Sequence, residues 1–422
     1  AEQGSGLAAA WAACSPTERR QVLVLSVSSA ALHLGFGVVI PALPALSQEL
    51  GFGATGVGLL LAAPGFARVL TNLPAGALVD RMGLVPAMVV GELMAAAGCL
   101  GTAFGTSLEA MLPFRFLGGA GGALALAGSA AYLAELTSKR HVLPFRGAIM
   151  GAQGGLVAAA YVVGPALGGL LTEACGAQTA YGIVAGLVAA CAAGYATLPE
   201  MGGASAAAAE PGARSNANVA SQLRDTLGQW RDMLAHRSQR ALFVGNCALN
   251  LNYAATITVL PIQAFHVFGT SAGDIGALYA VGAILGTLVS PVAGSLSDKY
   301  GRVPLVPAAS LLCAAGCSGV ALTHQWEWFV ASYMLWSVGE AVLSPLLAAY
   351  AADLAPKGHT GSALALARQS GDLVFFVAPP MLGLLFDLFP GHLAMSATSA
   401  ATVLGALFFR RQAREAVAPR RR

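Results

Sequence analysis

A short charged segment occurs twice in this sequence, once in each half of the chain. The first copy reads GALVDRMGLVP at 76–86, and the second reads GSLSDKYGRVP at 294–304. Each copy lies between two long apolar stretches, which predicts a polar hairpin between two membrane-spanning helices. The repeat constrains the fold strongly, because two similar halves of a chain are expected to form two similar bundles of helices.

The composition requires a lipid environment for most of the chain. Hydrophobic residues make up 56% of the sequence and charged residues only 10%, whereas soluble domains carry about 25% charged residues. Within lipid every backbone polar group needs an internal partner, so the spans must be helices or closed barrels. The apolar runs are about 20 residues long and show no alternation of period two, which predicts helices.

Breaks at glycine, proline and charged residues predict twelve transmembrane helices in two six-helix repeats. The expected fold class is therefore an all-α membrane protein. The predicted spans lie near 21–45, 56–79, 86–106, 110–134, 147–171, 177–198, 241–264, 273–296, 303–323, 327–352, 361–386 and 393–410.

These spans divide the chain into five parts. We expect an N-terminal segment at 1–20, a six-helix bundle at 21–199, a central loop at 200–240, a second bundle at 241–410 and a basic tail at 411–422. The central loop joins a Gly/Ala/Ser-rich tether to a basic, helix-forming part. This combination is typical of a flexible linker followed by an amphipathic helix on lipid headgroups, and partner binding is the alternative.

The basic residues predict the orientation. Of 23 Lys and Arg residues, three lie inside predicted spans and the others all fall on one side of the membrane. By the positive-inside rule, that side holds both termini and both hairpins, and it is cytoplasmic or the equivalent face in an organelle. The expected location is thus a plasma or organelle membrane. The opposite side has six short loops with one acid each: Glu49, Glu109, Glu173, Asp274, Glu327 and Asp387.

Two further segments match between the halves. AAYLAEL at 130–136 corresponds to AAYAADL at 348–354, with the same offset along the chain as the two hairpins. GPALGGLL at 164–171 corresponds to APPMLGLL at 378–385, at the slightly shorter offset of 214. Three matched segments at corresponding places in the two halves indicate that the halves are parallel repeats of one six-helix unit.

With these motifs the chain resembles the major facilitator superfamily, and within it the twelve-helix drug:proton antiporters and their vesicular amine transporter relatives. The first hairpin matches the family's loop signature G-x-x-x-D-R-x-G, although Leu84 stands where a basic residue is usual. The resemblance implies that both hairpins act in gating. Asp80 is expected to face the N-terminus of a neighbouring helix, where a negative charge is favourable. The gating residues are Gly76, Asp80, Arg81, Gly83, Gly294, Asp298, Lys299, Gly301 and Arg302.

The fifth predicted span resembles the antiporter signature of the same family, with Ala160 in place of one glycine. A stripe of small residues lets helices pack closely, and a proline inside a helix bends it. A role in antiport is implied by the resemblance alone. The matching residues are Gly151, Gly164, Pro165, Gly168 and Gly169.

Charged residues inside predicted spans are costly and therefore indicate function. Arg115 matches the span-four arginine that the family uses in proton transfer; a structural ion pair is the alternative. Glu340 has no basic neighbour on its own helix, so it is the better candidate proton carrier than Asp372, which Arg368 can pair one turn away. The six such residues are Arg68, Glu92, Arg115, Glu340, Arg368 and Asp372.

Glu92 has two open interpretations: proton coupling, or bracing of Arg68 or the first hairpin. Other polar and aromatic side chains in the spans are candidates for a substrate cavity, which repeat transporters place between their halves. Each could instead be hydrogen-bonded within a helix, join helices or face lipid. These candidates are His33, Gln153, Asn246, Asn250, Tyr253 and Trp336.

Together these features predict a secondary active transporter that works by alternating access, exporting small organic or amphipathic compounds in exchange for protons. One alternative is a facilitator or symporter of a specific metabolite, including an anionic one; another is a transporter-like sensor or scaffold. We expect no enzyme activity, cofactor, metal or nucleic-acid partner. The expected partners are the substrate, protons and the lipid bilayer, with the protein as a monomer.

Overall fold

The computed structural model describes residues 7–201, 219–354 and 360–415. Within these ranges the chain forms α-helices and one short 3-10 helix at Leu143–Phe145, with no strand. The helices, numbered α1 to α14 in chain order, are Leu7–Ala13, Pro16–Leu50, Ala54–Met82, Leu84–Ala103, Leu108–Leu136, Arg146–Cys175, Ala177–Ala196, Val219–Ala235, Arg237–Phe268, Ala272–Tyr300, Leu305–Leu322, Trp326–Leu354, Thr360–Leu388 and His392–Gln412.

Eleven of these helices are long and apolar enough to cross a membrane. They correspond to every predicted span except the seventh. The helix at that position, α9, is 32 residues long, but Asn246, Asn250 and Asn252 lower its hydropathy. The all-α membrane fold is therefore confirmed, and the seventh span, with it the count of twelve, stays a prediction.

The chain forms two compact units. Unit 1 comprises Ala1–Ala42 and Ala67–Ser221, and unit 2 comprises Leu43–Phe66 and Gln222–Arg422. The segment Leu43–Phe66 holds the end of α2 and the beginning of α3. It belongs to the first repeat by sequence and to unit 2 by its contacts.

Corresponding helices pack alike within the two units. In unit 1, α4 packs against α5 and α7; in unit 2, α11 packs against α12 and α14. Small residues line these contacts: Gly98 faces the backbone of Gly118, and Gly316 faces that of Trp336. Each residue of the first pair has its counterpart in the second at the offset that relates the hairpins. The two repeats thus form the same helix crossing, as the duplication requires.

Candidate functional site

The two repeated hairpins turn at glycines with positive φ. Gly83, with φ 94°, is the single residue between α3 and α4, and Gly301, with φ 88°, directly follows α10. Residues with a side chain rarely adopt this backbone conformation, so glycine suits both turns. Each hairpin therefore reverses the chain within very few residues.

A glutamate from outside each hairpin binds the backbone that follows the turn. Glu200 accepts hydrogen bonds from the backbone N–H groups of Leu84 (2.6 Å) and Val85 (3.0 Å), and Glu415 accepts one from that of Val303 (2.7 Å). The first N–H groups of a helix lack partners within it, and the helix dipole favours a negative charge there. Glu200 thus caps α4, and Glu415 binds the turn into α11. No recognised motif contains either glutamate, but their separation is close to the repeat period.

Two tyrosines hold these glutamates in place. The Tyr132 hydroxyl donates to the backbone oxygen of Pro199 (2.9 Å), and the Tyr350 hydroxyl donates to that of Arg414 (2.8 Å). Each tyrosine therefore anchors the residue that precedes a glutamate. Both rings are fully buried and occupy matched positions of the AAYLAEL and AAYAADL segments. This contact explains why the same short segment occurs in predicted spans four and ten.

The second hairpin also holds a charge cluster centred on Arg302. The corresponding residue of the first hairpin is Leu84, which cannot form an ion pair. Arg302 Nη2 donates to Asp298 Oδ1 at 3.0 Å, and Arg302 Nε lies 3.1 Å from Asp353 Oδ2. Asp80 is exposed, and its contact with a helix N-terminus stays a prediction. The other motif residues are exposed or half-buried: Gly76, Arg81, Gly294 and Lys299.

We expect Glu200→Ala to lower the free energy of unfolding by about 1–2 kcal/mol, because two backbone N–H groups of α4 lose their acceptor. Thermal unfolding of the purified protein in detergent measures the loss. Glu173→Ala removes an exposed carboxylate near the end of α6 and is the control, with an expected change within about 0.5 kcal/mol. Equal unfolding midpoints for the two variants would argue against the capping role.

The small-residue motif of predicted span five packs against α2. A Cβ on Gly164 would lie 2.9 Å from the backbone oxygen of Leu34, and a Cβ on Gly168 would lie 2.6 Å from Val38 Cα. Pro165 and Gly169 are buried on the same helix. Gly151, in contrast, has open space beside it. The motif is thus a helix-packing surface over its second half.

Glu340 is a buried carboxyl group in unit 2, with 8% of its surface exposed. Thr256 Oγ1 on α9 donates to Glu340 Oε1 at 3.3 Å. The Tyr279 hydroxyl on α10 donates to the backbone oxygen of Thr256 and so helps to fix that donor. Within the described residues no Lys or Arg forms an ion pair with Glu340. Such a carboxyl group can bind and release a proton.

Trp336 lies one helical turn before Glu340 and is fully buried. Its Nε1 donates to Asn252 Oδ1 (2.8 Å), and Asn252 Nδ2 donates to Thr402 Oγ1 (2.8 Å). This hydrogen-bonded chain joins α12, α9 and α14. Asn252 and Thr256 are not among the predicted site residues, although their spacing of four residues marks a polar face of α9.

Unit 1 contains its own buried charged residues. Glu92 on α4 is 1% exposed, and its Oε2 atom has no hydrogen-bond partner among the described residues. Arg115 on α5 is 8% exposed, and its guanidinium lies 5.9 Å from the centre of the Tyr181 ring. This distance is typical of a cation–π contact. The burial of both residues agrees with a functional or structural role and not with a lipid-facing position.

The remaining candidates have more ordinary surroundings. His33 Nδ1 lies 2.6 Å from the backbone oxygen of Ser29, and its ring contacts Tyr161. Asn250 Nδ2 donates to the backbone oxygen of Asn246. His33 and Asn250 are therefore engaged within their own helices. Arg68, Gln153 and Tyr253 are half-buried, Asp372 is buried and Arg368 is exposed.

The described part of the chain contains no group of three His, Cys, Asp or Glu side chains that could hold a metal ion. All seven cysteines are free thiols.

Comparison with known proteins gives a family match over most of the chain. The family is described as the Major Facilitator Superfamily, and its model matches residues 25–263 and 242–422. Multidrug resistance protein 1 of Bacillus subtilis (strain 168) is 22% identical over 361 residues, which are 84% of this chain and 87% of that protein.

Solved structures share the fold at low sequence identity. A bacterial homolog of the human lysosomal transporter Spinster, inward-facing and unoccupied, has a TM-score of 0.77 at 14% identity and covers 94% of this chain and 97% of its own. A D-xylose-proton symporter has a TM-score of 0.71 at 17% identity and covers 94% and 98%. At this identity the likeness concerns the fold.

Proposed function

This chain belongs to the Major Facilitator Superfamily, and we propose that it exports small organic or amphipathic compounds in exchange for protons. It is a multi-pass membrane transporter and not an enzyme. In this proposal the protein works by alternating access, so that one binding site opens to each side of the membrane in turn. Both termini and the repeated hairpins lie on the cytoplasmic side.

The buried Glu340 is the observation that carries the proposal. Proton coupling requires a group that takes up a proton in one state and releases it in another, and carboxyl groups inside membranes serve this purpose. Glu340 has a neutral hydrogen-bond donor in Thr256 and is buried within one unit. Its protonation can therefore change without the breaking of an ion pair among the described residues.

Similarity to a multidrug resistance protein supports the export of amphipathic compounds. That similarity extends over most of both chains, so it covers both repeats. The small-residue motif that packs α6 against α2 supports antiport through its resemblance to the antiporter signature.

We expect liposomes that contain the purified protein to accumulate a fluorescent lipophilic cation when a pH gradient is imposed. This accumulation should stop when a protonophore collapses the gradient. Parallel assays with neutral and anionic compounds define the substrate class, and liposomes without protein are the control. Uptake that is equal with and without the pH gradient would contradict proton coupling.

A facilitator or symporter of an anionic metabolite is the second candidate, and buried Arg115 favours it. A guanidinium enclosed in a helix bundle suits recognition of a carboxylate or phosphate. The anionic compounds of the same assay distinguish the candidates. A facilitator would take up the anion without a pH gradient, and a symporter would take it up together with protons that move down the gradient.

A further inference from the structure

The first turn of α3 is capped by a side chain from far along the chain. Asp387, near the end of α13, accepts hydrogen bonds from the backbone N–H groups of Ala54 (2.9 Å) and Thr55 (2.8 Å), and from the Thr55 hydroxyl (2.6 Å). This contact joins predicted span two of the first repeat to span eleven of the second. Both sides of the contact lie in unit 2, because that unit includes Leu43–Phe66.

Close packing continues from this contact along both helices. A Cβ on Gly383 of α13 would lie 2.8 Å from Thr55 Cα. Further along, the rings of Phe66 and Phe376 stack with their centres 4.7 Å apart. The hydrogen bonds of Asp387 therefore close one end of a continuous surface between α3 and α13. This end lies opposite the repeated hairpins, and we call it the outer end.

The corresponding helix of the second repeat caps itself. Ser271, the counterpart of Gly53 at the offset of the hairpins, is the N-cap of α10 and forms a capping box with Asp274. In the first repeat glycines occupy both positions, Gly53 and Gly56. Glycine has no side chain that can accept a hydrogen bond, so α3 lacks this local cap. Asp387 supplies the missing acceptor.

The acid that corresponds to Asp387 has a different environment. The offset of 214 between the matched segments of predicted spans five and eleven relates Glu173 to Asp387. Glu173 is exposed near the end of α6, and α10 has its own cap. The use of a remote acid is therefore a property of α3 that does not follow from the duplication.

We propose that Asp387, Ala54 and Thr55 form an outer latch, which holds predicted spans two and eleven together in the conformation described here and opens when the transporter exposes its site to that side. This inference rests on the proposed alternating access. A local cap stays in place when helices move as rigid bodies, whereas a cap from another repeat breaks when the repeats separate. Because the first repeat has glycines where the second has a capping box, the start of α3 loses its side-chain cap when the latch opens.

Distances between spin labels test the latch without any substrate or proton gradient, so the result does not depend on proton coupling. The labels are placed at Glu49→Cys, near the end of α2, and at His324→Cys, between α11 and α12. Both positions are exposed and belong to loops predicted on the outer side, and the native cysteines are replaced in a folded background. We expect Asp387→Ala to raise the population with the longer distance by about tenfold, because it removes charge-assisted hydrogen bonds made only in the closed state. Glu173→Ala is the matched control and is expected to leave the distances unchanged.

A second variant separates the latch from simple helix capping. Gly53→Ser combined with Asp387→Ala restores a local cap to α3 but not the connection to α13. Gly53 has no positive φ, and the atoms nearest to a Cβ there belong to the Asp387 carboxylate, so serine fits in this double variant. We expect it to show the longer distance as well, and it serves as the test if the single variant does not fold. Unchanged distances in Asp387→Ala, or a return to the wild-type distances in the double variant, would overturn the proposal.

Discussion

Replacement of Glu340 by glutamine is expected to abolish proton-driven transport while the protein stays folded. Glutamine keeps the shape of the side chain and the oxygen that accepts the hydrogen bond from Thr256. It cannot bind and release a proton near neutral pH. Accumulation of substrate under a pH gradient should therefore fall to the level of protein-free liposomes, while exchange of substrate across equal pH persists.

The matched control for this experiment is Glu327→Gln. Glu327 lies in the first turn of the same helix, α12, and is exposed. Its replacement removes one carboxyl group from α12 without touching the buried network, so transport should stay at the wild-type rate. Undiminished accumulation in Glu340→Gln would show that the proton is carried elsewhere, and Glu92 or Asp372 would then be the next residues to replace.

The second large effect is expected for Gly168→Ala, which should reduce the free energy of unfolding by about 1–3 kcal/mol. The added methyl group would overlap the backbone of Val38, where its Cβ would lie 2.6 Å from the Cα atom. Backbone atoms cannot rotate away, so α2 and α6 must move apart. Alanine is a better helix former than glycine by about 1 kcal/mol, so local propensity alone predicts the opposite sign.

Gly151→Ala tests the same substitution on the same helix without the contact. Nothing lies within 4 Å of a Cβ at Gly151, so this variant should be as stable as the wild type or slightly more stable. Thermal unfolding midpoints and the yield of monodisperse protein measure both variants. If Gly168→Ala unfolds at the same temperature as Gly151→Ala, the close packing of α2 and α6 at Gly168 does not contribute to stability, and the proposed role of the motif is wrong.

The sequence predicted most of the helices because lipid leaves few choices. In lipid, apolar runs of sufficient length must form helices, because a helix pairs its own backbone N–H and C=O groups by hydrogen bonds. Eleven such helices are present among the described residues. Helix α9 lies where the seventh span is predicted, but it is not among the eleven, and it shows the limit of hydropathy as a signal. Its asparagines are tolerated because the folded bundle supplies partners: Asn252 binds Trp336 and Thr402, and hydropathy does not register such partners.

The candidate site was predicted less completely. Burial of Glu340, Glu92, Arg115 and Asp372 agrees with their placement inside spans. Their surroundings could not be predicted, because a helix rotation of a few tens of degrees decides which side chains meet. The sequence therefore named Asn246 and Asn250 on α9, whereas the residue that binds Glu340 is Thr256.

The sequence by itself determined the membrane environment, the all-α fold, the duplication and the family, since these follow from composition, hydropathy and motifs along the chain. Only the tertiary structure decided which carboxylates bind the backbone of the repeated hairpins and of the outer end of α3. Glu200 and Glu415 bind the hairpins from distant positions, and Asp387 reaches α3 from the other half of the chain. Backbone N–H groups at a helix N-terminus can donate to any carboxylate that comes near, so no sequence pattern specifies the partner until the helices pack.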